Sequence, residues 1–262
     1  MRKMDAFLLK FVLISLYICF VTLGMAQQSG DEWKLGTPQL PVSVGETFLD
    51  EPPNSACPNS NFSAGNFDNW NGCYGTYGDN SCSQTGFLTV PTTSPFQPAL
   101  HTIIGSGWID ANTNCEGNGI VTAYSGESYV VRIGDTAYTY QPTPAYKASE
   151  IKYAVSVVEG VNDFFIYRYA VVLQSGGHTA AQQPDFLVEI TDINGVVLDP
   201  DCGQYHFTAP TSGPPPAGSG WNLCGSDVYW RNWTTVGMDL SDYAGQTVYV
   251  RFKVQGCVYR TH

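Results

Sequence analysis

Charged residues are scarce in this chain of 262 residues, since Asp, Glu, Lys and Arg together make up 13%. Cations are the scarcer kind, with 12 Lys and Arg against 23 Asp and Glu, and the formal net charge is -11. An acidic surface repels phosphate backbones and anionic lipid headgroups, so nucleic acid is not a predicted partner. Glycine, asparagine, serine, threonine and tyrosine are abundant instead, a composition typical of secreted β-proteins.

Motifs of common catalytic centres are missing as well. No two cysteines have the C-x-x-C spacing of zinc and redox sites, and no G-x-S-x-G nucleophile elbow occurs. His101 falls within a predicted strand and is interpreted as a packed residue. Glycosidase chemistry needs two facing carboxylates, and Glu150 and Glu189, in or beside strands, carry no sign of being paired. We therefore predict a protein that is not an enzyme and has no catalytic residue.

The apolar run near the N-terminus is too short for a membrane span. It extends from Phe11 to Leu23, whereas a span needs about 20 apolar residues. Arg2, Lys3 and Lys10 precede it, and small residues end at Ala26, the arrangement of a secretory signal peptide. We predict cleavage after Ala26 and a secreted or cell-surface protein without a membrane span, with a retained anchor as the alternative.

The stretch Cys57–Cys82 combines cysteines with many glycines and asparagines. Such a mixture disfavours helix and predicts a disulfide-linked opening of an extracellular β-domain. Of the eight cysteines, Cys19 would leave with the signal peptide, so an odd number remains. Export makes disulfides reasonable, and the short loop between Cys73 and Cys82 makes this pair the first predicted bridge. Three aromatic residues are expected to fold onto a hydrophobic edge: Phe62, Phe67 and Trp70.

The rest of the sequence consists of short apolar runs separated by turn residues, the pattern of an all-β protein. Residues 27–55 lack this pattern of apolar runs and are predicted to be a linker or leading arm. The predicted domain therefore covers residues 56–262. The longest run, Phe164–Leu173, is apolar on both faces and predicts a central strand. One helical turn is expected at Ser241–Ala244. The predicted fold is an all-β, two-sheet jelly-roll sandwich like that of carbohydrate-binding modules. The other predicted strands are 99–104, 119–124, 128–133, 151–158, 186–190, 196–198, 204–208, 233–240 and 246–254.

Several segments resemble a known family. GNFDNWNG at Gly65–Gly72, FIYRYAVVLQSGGH at Phe165–His178 and WTTVGMDLSDYAGQTVYVRF at Trp233–Phe252 follow one another in the order and spacing of its members. The chain is similar to the N-terminal, jelly-roll-like domain of bacterial surface proteins known as PKD-domain or gliding-motility-associated proteins. The resemblance covers most of residues 57–257. It implies export and a role in adhesion or surface display, and it supplies no catalytic residue.

The sequence departs from this family at two places. Relatives carry Glu where this chain has Ser63, and in related binding modules that carboxylate helps to hold calcium. The resemblance therefore implies a calcium site only weakly, at Asn61, Ser63 and Gly65. Relatives also continue past Cys257 with a further strand and a last cysteine. This departure predicts a truncated chain, or a fragment of a longer protein, that lacks the final strand.

Ligand-binding candidates come from loop aromatics and one loop histidine, because loops on a sandwich carry binding. Tryptophan and tyrosine side chains stack on the apolar faces of sugar rings. Aromatic residues that only anchor a loop to the core occur in the same kinds of segment. Trp70 and Trp233 are interpreted as core residues. The predicted ligand-binding residues are Trp108, His178, Trp221, Tyr229 and Trp230.

The predicted function is a non-catalytic surface module for adhesion or glycan binding. Loops at one end of the sandwich would bind an extracellular glycan or another cell-surface component, and disulfides would lower the entropy cost of ordering those loops. A structural spacer in a larger surface protein is the alternative, followed by an extracellular hydrolase. No cofactor is predicted apart from the calcium just mentioned.

Overall fold

The computed structural model describes residues 57–75, 83–89, 100–115, 117, 119–122, 126–134, 148–175, 177, 179–201 and 203–256. The predicted signal peptide and leading arm lie outside these residues. The chain divides into two compact units, and the described strands all belong to one of them. The described part of the other unit is the turn Pro216–Gly220, in which the Ser219 amide donates to the Pro216 carbonyl at 3.1 Å.

The strands are, in chain order, β1 (Trp70–Gly75), β2 (Gln84–Thr85), β3 (His101–Gly105), β4 (Tyr129–Ile133), β5 (Ala148–Ser156), β6 (Phe164–Gln174), β7 (Asp185–Thr191), β8 (Gln204–Thr208), β9 (Asn222–Cys224), β10 (Val228–Asp239) and β11 (Thr247–Gln255). Two short 3₁₀ helices cover Ala180–Gln182 and Ser241–Tyr243. The second confirms the helical turn that was expected at that position.

The strands form antiparallel sheets. One sheet has six strands in the order β2-β1-β5-β11-β7-β8, another has three in the order β6-β10-β9, and β3 pairs with β4. The chain crosses from the six-stranded to the three-stranded sheet between β5 and β6 and returns at β7; it crosses again between β8 and β9 and returns between β10 and β11. This arrangement confirms the predicted all-β sandwich, in which β3 and β4 form a separate two-stranded sheet beside the two larger ones. The last described strand, β11, is paired on both sides, with β5 and β7.

Alternation of side chains along the strands builds the core. In β11, Val248 and Val250 are fully buried and Phe252 is nearly so, while Tyr249 and Arg251 between them are half-buried on the other face. Strands β5, β6 and β7 contribute their own inward residues to the same cluster. Each fully buried aliphatic or aromatic side chain contributes about 1.5–3 kcal/mol by leaving water, so this period-two pattern holds the two sheets together.

The prediction that the run Phe164–Leu173 forms a central strand is wrong. It does form β6, but β10 is the one strand that pairs with it among those described. Its side chains alternate, since Tyr167 and Tyr169 are buried whereas Phe164 and Ile166 are 43% and 45% exposed. The apolar residues of the outer face made a strand with one partly exposed face resemble a strand covered on both sides.

The predicted opening block packs as expected in its described part. Phe62 stacks on Trp70 with ring centroids 4.4 Å apart, and both belong to the core cluster. The Trp70 indole Nε1 donates to the Asn59 carbonyl at 2.9 Å. Cys73 is disulfide-bonded, and its predicted partner Cys82 lies outside the described residues.

Within the part of the chain that is described, no helix is both long and apolar enough to cross a membrane.

Candidate functional site

The β3–β4 loop is organised around two buried threonine hydroxyls. Thr113 Oγ1 accepts a hydrogen bond from the Ile120 amide at 2.9 Å. Thr122 Oγ1 accepts from the Trp108 amide at 3.1 Å, and the Trp108 carbonyl accepts from the Thr122 amide at 2.7 Å. Thr113 and Thr122 are 1% and 7% exposed. Side-chain hydroxyls that bond nearby backbone groups can replace a strand ladder, so this loop holds a defined shape with few regular strand pairs.

Large apolar side chains lie on the outside of this loop. Trp108, Ile109 and Val121 are 49%, 44% and 49% exposed. Ile109 and Val121 form an isolated antiparallel bridge, and the Trp233 indole Nε1 donates to the Val121 carbonyl at 2.9 Å. We call this group the tryptophan surface; its members are Trp108, Ile109, Val121 and Trp233, which are neighbours along the bridged segments, with the Trp108 backbone bonded to Thr122 next to Val121.

A β-bulge in β10 accounts for the position of Trp233. The register between β10 and β6 shifts between Arg231 and Thr234, which leaves Asn232 and Trp233 outside the regular pairing. Bulges re-aim side chains in this way. Trp233 is half-buried and is not a member of the core cluster, so its interpretation as a core residue is wrong. The same interpretation is confirmed for Trp70, which is 7% exposed.

A disulfide and an ion pair fasten the β3–β4 loop to the three-stranded sheet. Cys115 is bonded to Cys224 of β9, with 5.6 Å between the Cα atoms. Arg168 of β6 donates through Nη1 to Glu127 Oε1 at 2.7 Å. Burial raises the pKa of Glu127, and the charge of Arg168 opposes that rise. The tryptophan surface therefore lies on a loop that is fixed by a covalent bond and a charge-assisted contact.

Tyr229 and Trp230, two of the predicted ligand-binding residues, point to opposite faces of β10. Tyr229 is fully buried, and its hydroxyl donates to the Gly213 carbonyl at 2.5 Å. Trp230 is half-buried and is paired with Asn222 of β9. Adjacent strand residues alternate in direction, so these two aromatic residues cannot contact one ligand from the same side.

Trp221 packs beside Tyr229 and over a buried arginine. Its ring meets that of Tyr229 edge-on at 6.5 Å, and the Arg231 guanidinium lies 5.5 Å from the Trp221 ring and 4.9 Å from that of Phe207. Burial lowers the pKa of Arg231. The contacts place Trp221 in an aromatic cluster with Arg231. His178, the remaining candidate, lies outside the described residues.

Glu150 and Glu189 meet on the outer face of the six-stranded sheet, which the sequence did not indicate. Arg251 lies between them: its Nε is 3.4 Å from Glu150 Oε2 and its Nη2 is 2.8 Å from Glu189 Oε2. Gln204 Nε2 donates to Glu189 Oε1 at 2.7 Å. The two carboxylate side chains are 9% and 8% exposed, and burial raises the pKa of Glu150. This arrangement favours a structural ion network over an open pair of glycosidase carboxylates.

The calcium site that the resemblance implied at Asn61, Ser63 and Gly65 falls in a turn whose polar groups form hydrogen bonds with one another. Asn61 Oδ1 accepts from the Ser63 amide at 2.9 Å, and the Gly65 amide donates to the Phe62 carbonyl at 2.8 Å. Asn59 organises this turn through its side chain, which donates to the carbonyls of Asn66 and Asp68. Among the described residues, no group of three or more His, Cys, Asp or Glu could hold a metal ion.

Sequence reasoning identified Trp108 but missed the other members of its surface. Val121 falls in the predicted strand 119–124 and Ile109 in no predicted element, and nothing in their spacing marks them as neighbours. The Cys115–Cys224 pair spans 109 residues, and an odd number of cysteines leaves many possible pairings. One sequence signal could have been used: side chains alternate between the two faces of a strand, so the adjacent residues Tyr229 and Trp230 of β10 point to opposite faces.

No protein-family model matches the chain, and no curated protein matches it. Among solved structures, the enzymatically active domain of tailspike protein 4 from bacteriophage CBA120 aligns with a TM-score of 0.33 and 11% sequence identity. The alignment covers 78% of this chain and 20% of that chain, so the protein spans about a fifth of the tailspike structure. A likeness of this size carries no functional argument.

Proposed function

We propose that this protein is an exported, non-catalytic module that binds extracellular glycans through the tryptophan surface. The observation that supports this most strongly is Trp108, a large aromatic side chain that is 49% exposed on a loop fixed by backbone bonds and a disulfide. A large exposed aromatic side chain on a fixed loop is the kind of feature that binding sites use.

Pre-organisation favours binding at this place. Both backbone polar groups of Trp108 bond to Thr122, and the Cys115–Cys224 disulfide holds the loop against β9. A ligand therefore meets a surface that is already ordered, and binding loses less conformational entropy. A tryptophan buries roughly 200 Å² in full contact, so covering the exposed half of Trp108 with the apolar face of a sugar ring contributes about 2 kcal/mol.

Export and cell-surface location belong to the same proposal. The Cys115–Cys224 disulfide supports them because such bonds persist in oxidising compartments. The signal-peptide pattern before Ala26 and the resemblance to bacterial surface proteins support them from the sequence. The net charge of -11 favours neutral glycans over acidic ones as partners.

A glycan array tests the proposal with two matched variants. Trp108→Ala should weaken binding to any glycan recognised by the wild type by at least ten-fold, since it removes the stacking surface. Phe164→Ala is the control: Phe164 is 43% exposed and pairs with Asp239, at the end of β10 away from Trp233. It should leave binding unchanged. Circular dichroism would show that both variants fold. If the wild type binds no glycan, the spacer alternative replaces this proposal.

A further inference from the structure

A small polar cleft lies at one end of the sandwich, where the connections that follow β6, β8 and β9 meet. It has a volume of about 260 Å³ and shares no residue with the tryptophan surface. Tyr229, which was predicted to bind a ligand, forms part of its wall. Hydroxyl and carboxylate side chains supply most of the lining: Ser175, Thr211, Ser212, Ser226, Asp227 and Tyr229.

Ser175 joins the three connections into a rigid wall. This residue is 3% exposed; its amide donates to the Asp227 carbonyl at 2.7 Å, and its hydroxyl donates to the Thr211 carbonyl at 3.1 Å. Gln183 Nε2 donates to the same hydroxyl at 3.1 Å. Tyr229 adds a bond to the loop at Gly213. Ser175, Tyr229 and the backbone of the three connections are therefore held in place before any ligand arrives, as a specific binding site requires.

Asp227 gives the cleft its charge. Gln174 Nε2 donates to Asp227 Oδ2 at 2.9 Å, which fixes the orientation of the carboxylate. Ser226 Oγ lies 3.5 Å from the other oxygen, Oδ1. A carboxylate has about four lone-pair sites, more than these contacts use. Of the residues that the structure describes, no lysine, arginine or histidine lines the cleft.

The geometry points to a binding site for a single neutral sugar ring in this cleft. Asp227 accepts hydrogen bonds from ligand hydroxyls, and the Ser226 and Ser212 hydroxyls bond to neighbouring positions of the ring. Ligand pockets for drug-sized molecules measure roughly 300–1,000 Å³, so a cleft of about 260 Å³ accommodates one ring and not an oligosaccharide. The negative charge of Asp227 disfavours acidic sugars. The site does not depend on glycan binding at the tryptophan surface.

Saturation-transfer NMR on the full chain tests this site, with free glucose, galactose, mannose, xylose and fucose as probes at millimolar concentration. At least one sugar should show saturation transfer, and Asp227→Asn should weaken its affinity ten-fold or more, because one acceptor oxygen becomes a donor amide. Asp242→Asn is the matched control, since Asp242 is exposed in the second 3₁₀ helix. It should bind like the wild type.

Further measurements in the same experiment distinguish binding in this cleft from binding at the tryptophan surface. Trp108→Ala should retain monosaccharide binding even if it abolishes binding on the array. The inference is overturned if none of the five sugars shows saturation transfer, or if Asp227→Asn binds as well as the wild type. Binding of glucosamine alone, lost in high salt, would show that the cleft selects a cation and would also overturn it.

Discussion

Lowering the pH should destabilise the protein through His101, whose imidazole is completely buried. Its Nδ1 accepts from the Leu88 amide at 3.0 Å, so Nε2 carries the proton and faces the Glu150 carbonyl at 3.2 Å. Burial lowers the pKa of His101 from 6.5 to about 4, against the opposing effect of backbone hydrogen bonds. The neutral form fits this site, and a second proton would have to displace the Leu88 amide.

The sign and size of the effect follow from proton linkage. The unfolded chain takes up a proton on His101 near pH 6.5, whereas the folded chain does so only near pH 4. The contribution to stability is therefore complete above pH 6.5 and is lost as the pH falls from 6.5 to 4. A difference of this size corresponds to about 3 kcal/mol in the free energy of unfolding, at about 1.4 kcal/mol per pKa unit.

Urea denaturation at a series of pH values between 7.5 and 4 would measure this effect. The variant His101→Gln should lose stability at pH 7.5 because it disturbs the buried contacts, but the gap to the wild type should shrink by about 3 kcal/mol towards pH 4. Comparing the two proteins removes the contribution of carboxylates that they share. A gap that stays constant across this range would refute the reasoning.

His206 provides an internal control, because its pKa is shifted in the opposite direction to that of His101. Its Nε2 lies 3.0 Å from Asp185 Oδ2, and its side chain is 53% exposed. The hydrogen bond to Asp185 raises the pKa of His206, so its contribution is present below pH 6.5 and is lost as the pH rises through the folded value. His206→Gln should therefore widen its gap to the wild type at low pH, by a small amount because the pair is exposed.

The remaining predictions concern the disulfide and the buried ion network. Replacing Cys115 and Cys224 by alanine should lower the free energy of unfolding by up to about 5 kcal/mol in the chain-entropy account, since the bond closes a loop of 109 residues; an unchanged urea midpoint would contradict this. Arg251→Met should cost about 3 kcal/mol at pH 7, because it removes the cation between the buried Glu150 and Glu189 carboxylates, while the charges of Lys152 and Lys253 still act on Glu150. The cost should decrease towards pH 4 because burial raises the pKa of Glu150, so that its carboxyl takes up a proton and no longer needs the cation, and a cost independent of pH would show that the Glu150 charge is not involved.

Local patterns predicted the parts of the fold that alternation governs. Strand β8 lies at the predicted residues, and β11 lies within one residue of its predicted bounds, because one face of each points to the core. The turn after β7 also follows from local chemistry, since Asp192 Oδ1 accepts from the amides of Asn194 and Val196. The wrong prediction for β6 shows where local patterns fail. Apolar residues on both faces predict that a strand forms, but they do not predict which elements cover it.

The candidate site was harder to predict because long-range contacts build it. The tryptophan surface depends on a disulfide, a β-bulge and the indole bond from Trp233 to the Val121 carbonyl, and none of these leaves a periodic signal. The hydroxyls of Thr113 and Thr122 fold the loop internally, which hydrophobic spacing cannot reveal. The face of a strand residue, by contrast, can be predicted: the separation of Tyr229 and Trp230 follows from their adjacency in β10.

The most direct test of glycan binding at the tryptophan surface is to observe the indole N–H groups during a titration. In ¹⁵N-labelled protein, the six tryptophans give separate indole signals, which single substitutions assign. Titration with the glycan bound best on the array should shift the signals of Trp108 and Trp233 most and leave that of the core residue Trp70 nearly unchanged. Shifts confined to Trp221 or Trp230, or no shift at saturating glycan, would contradict the proposed function.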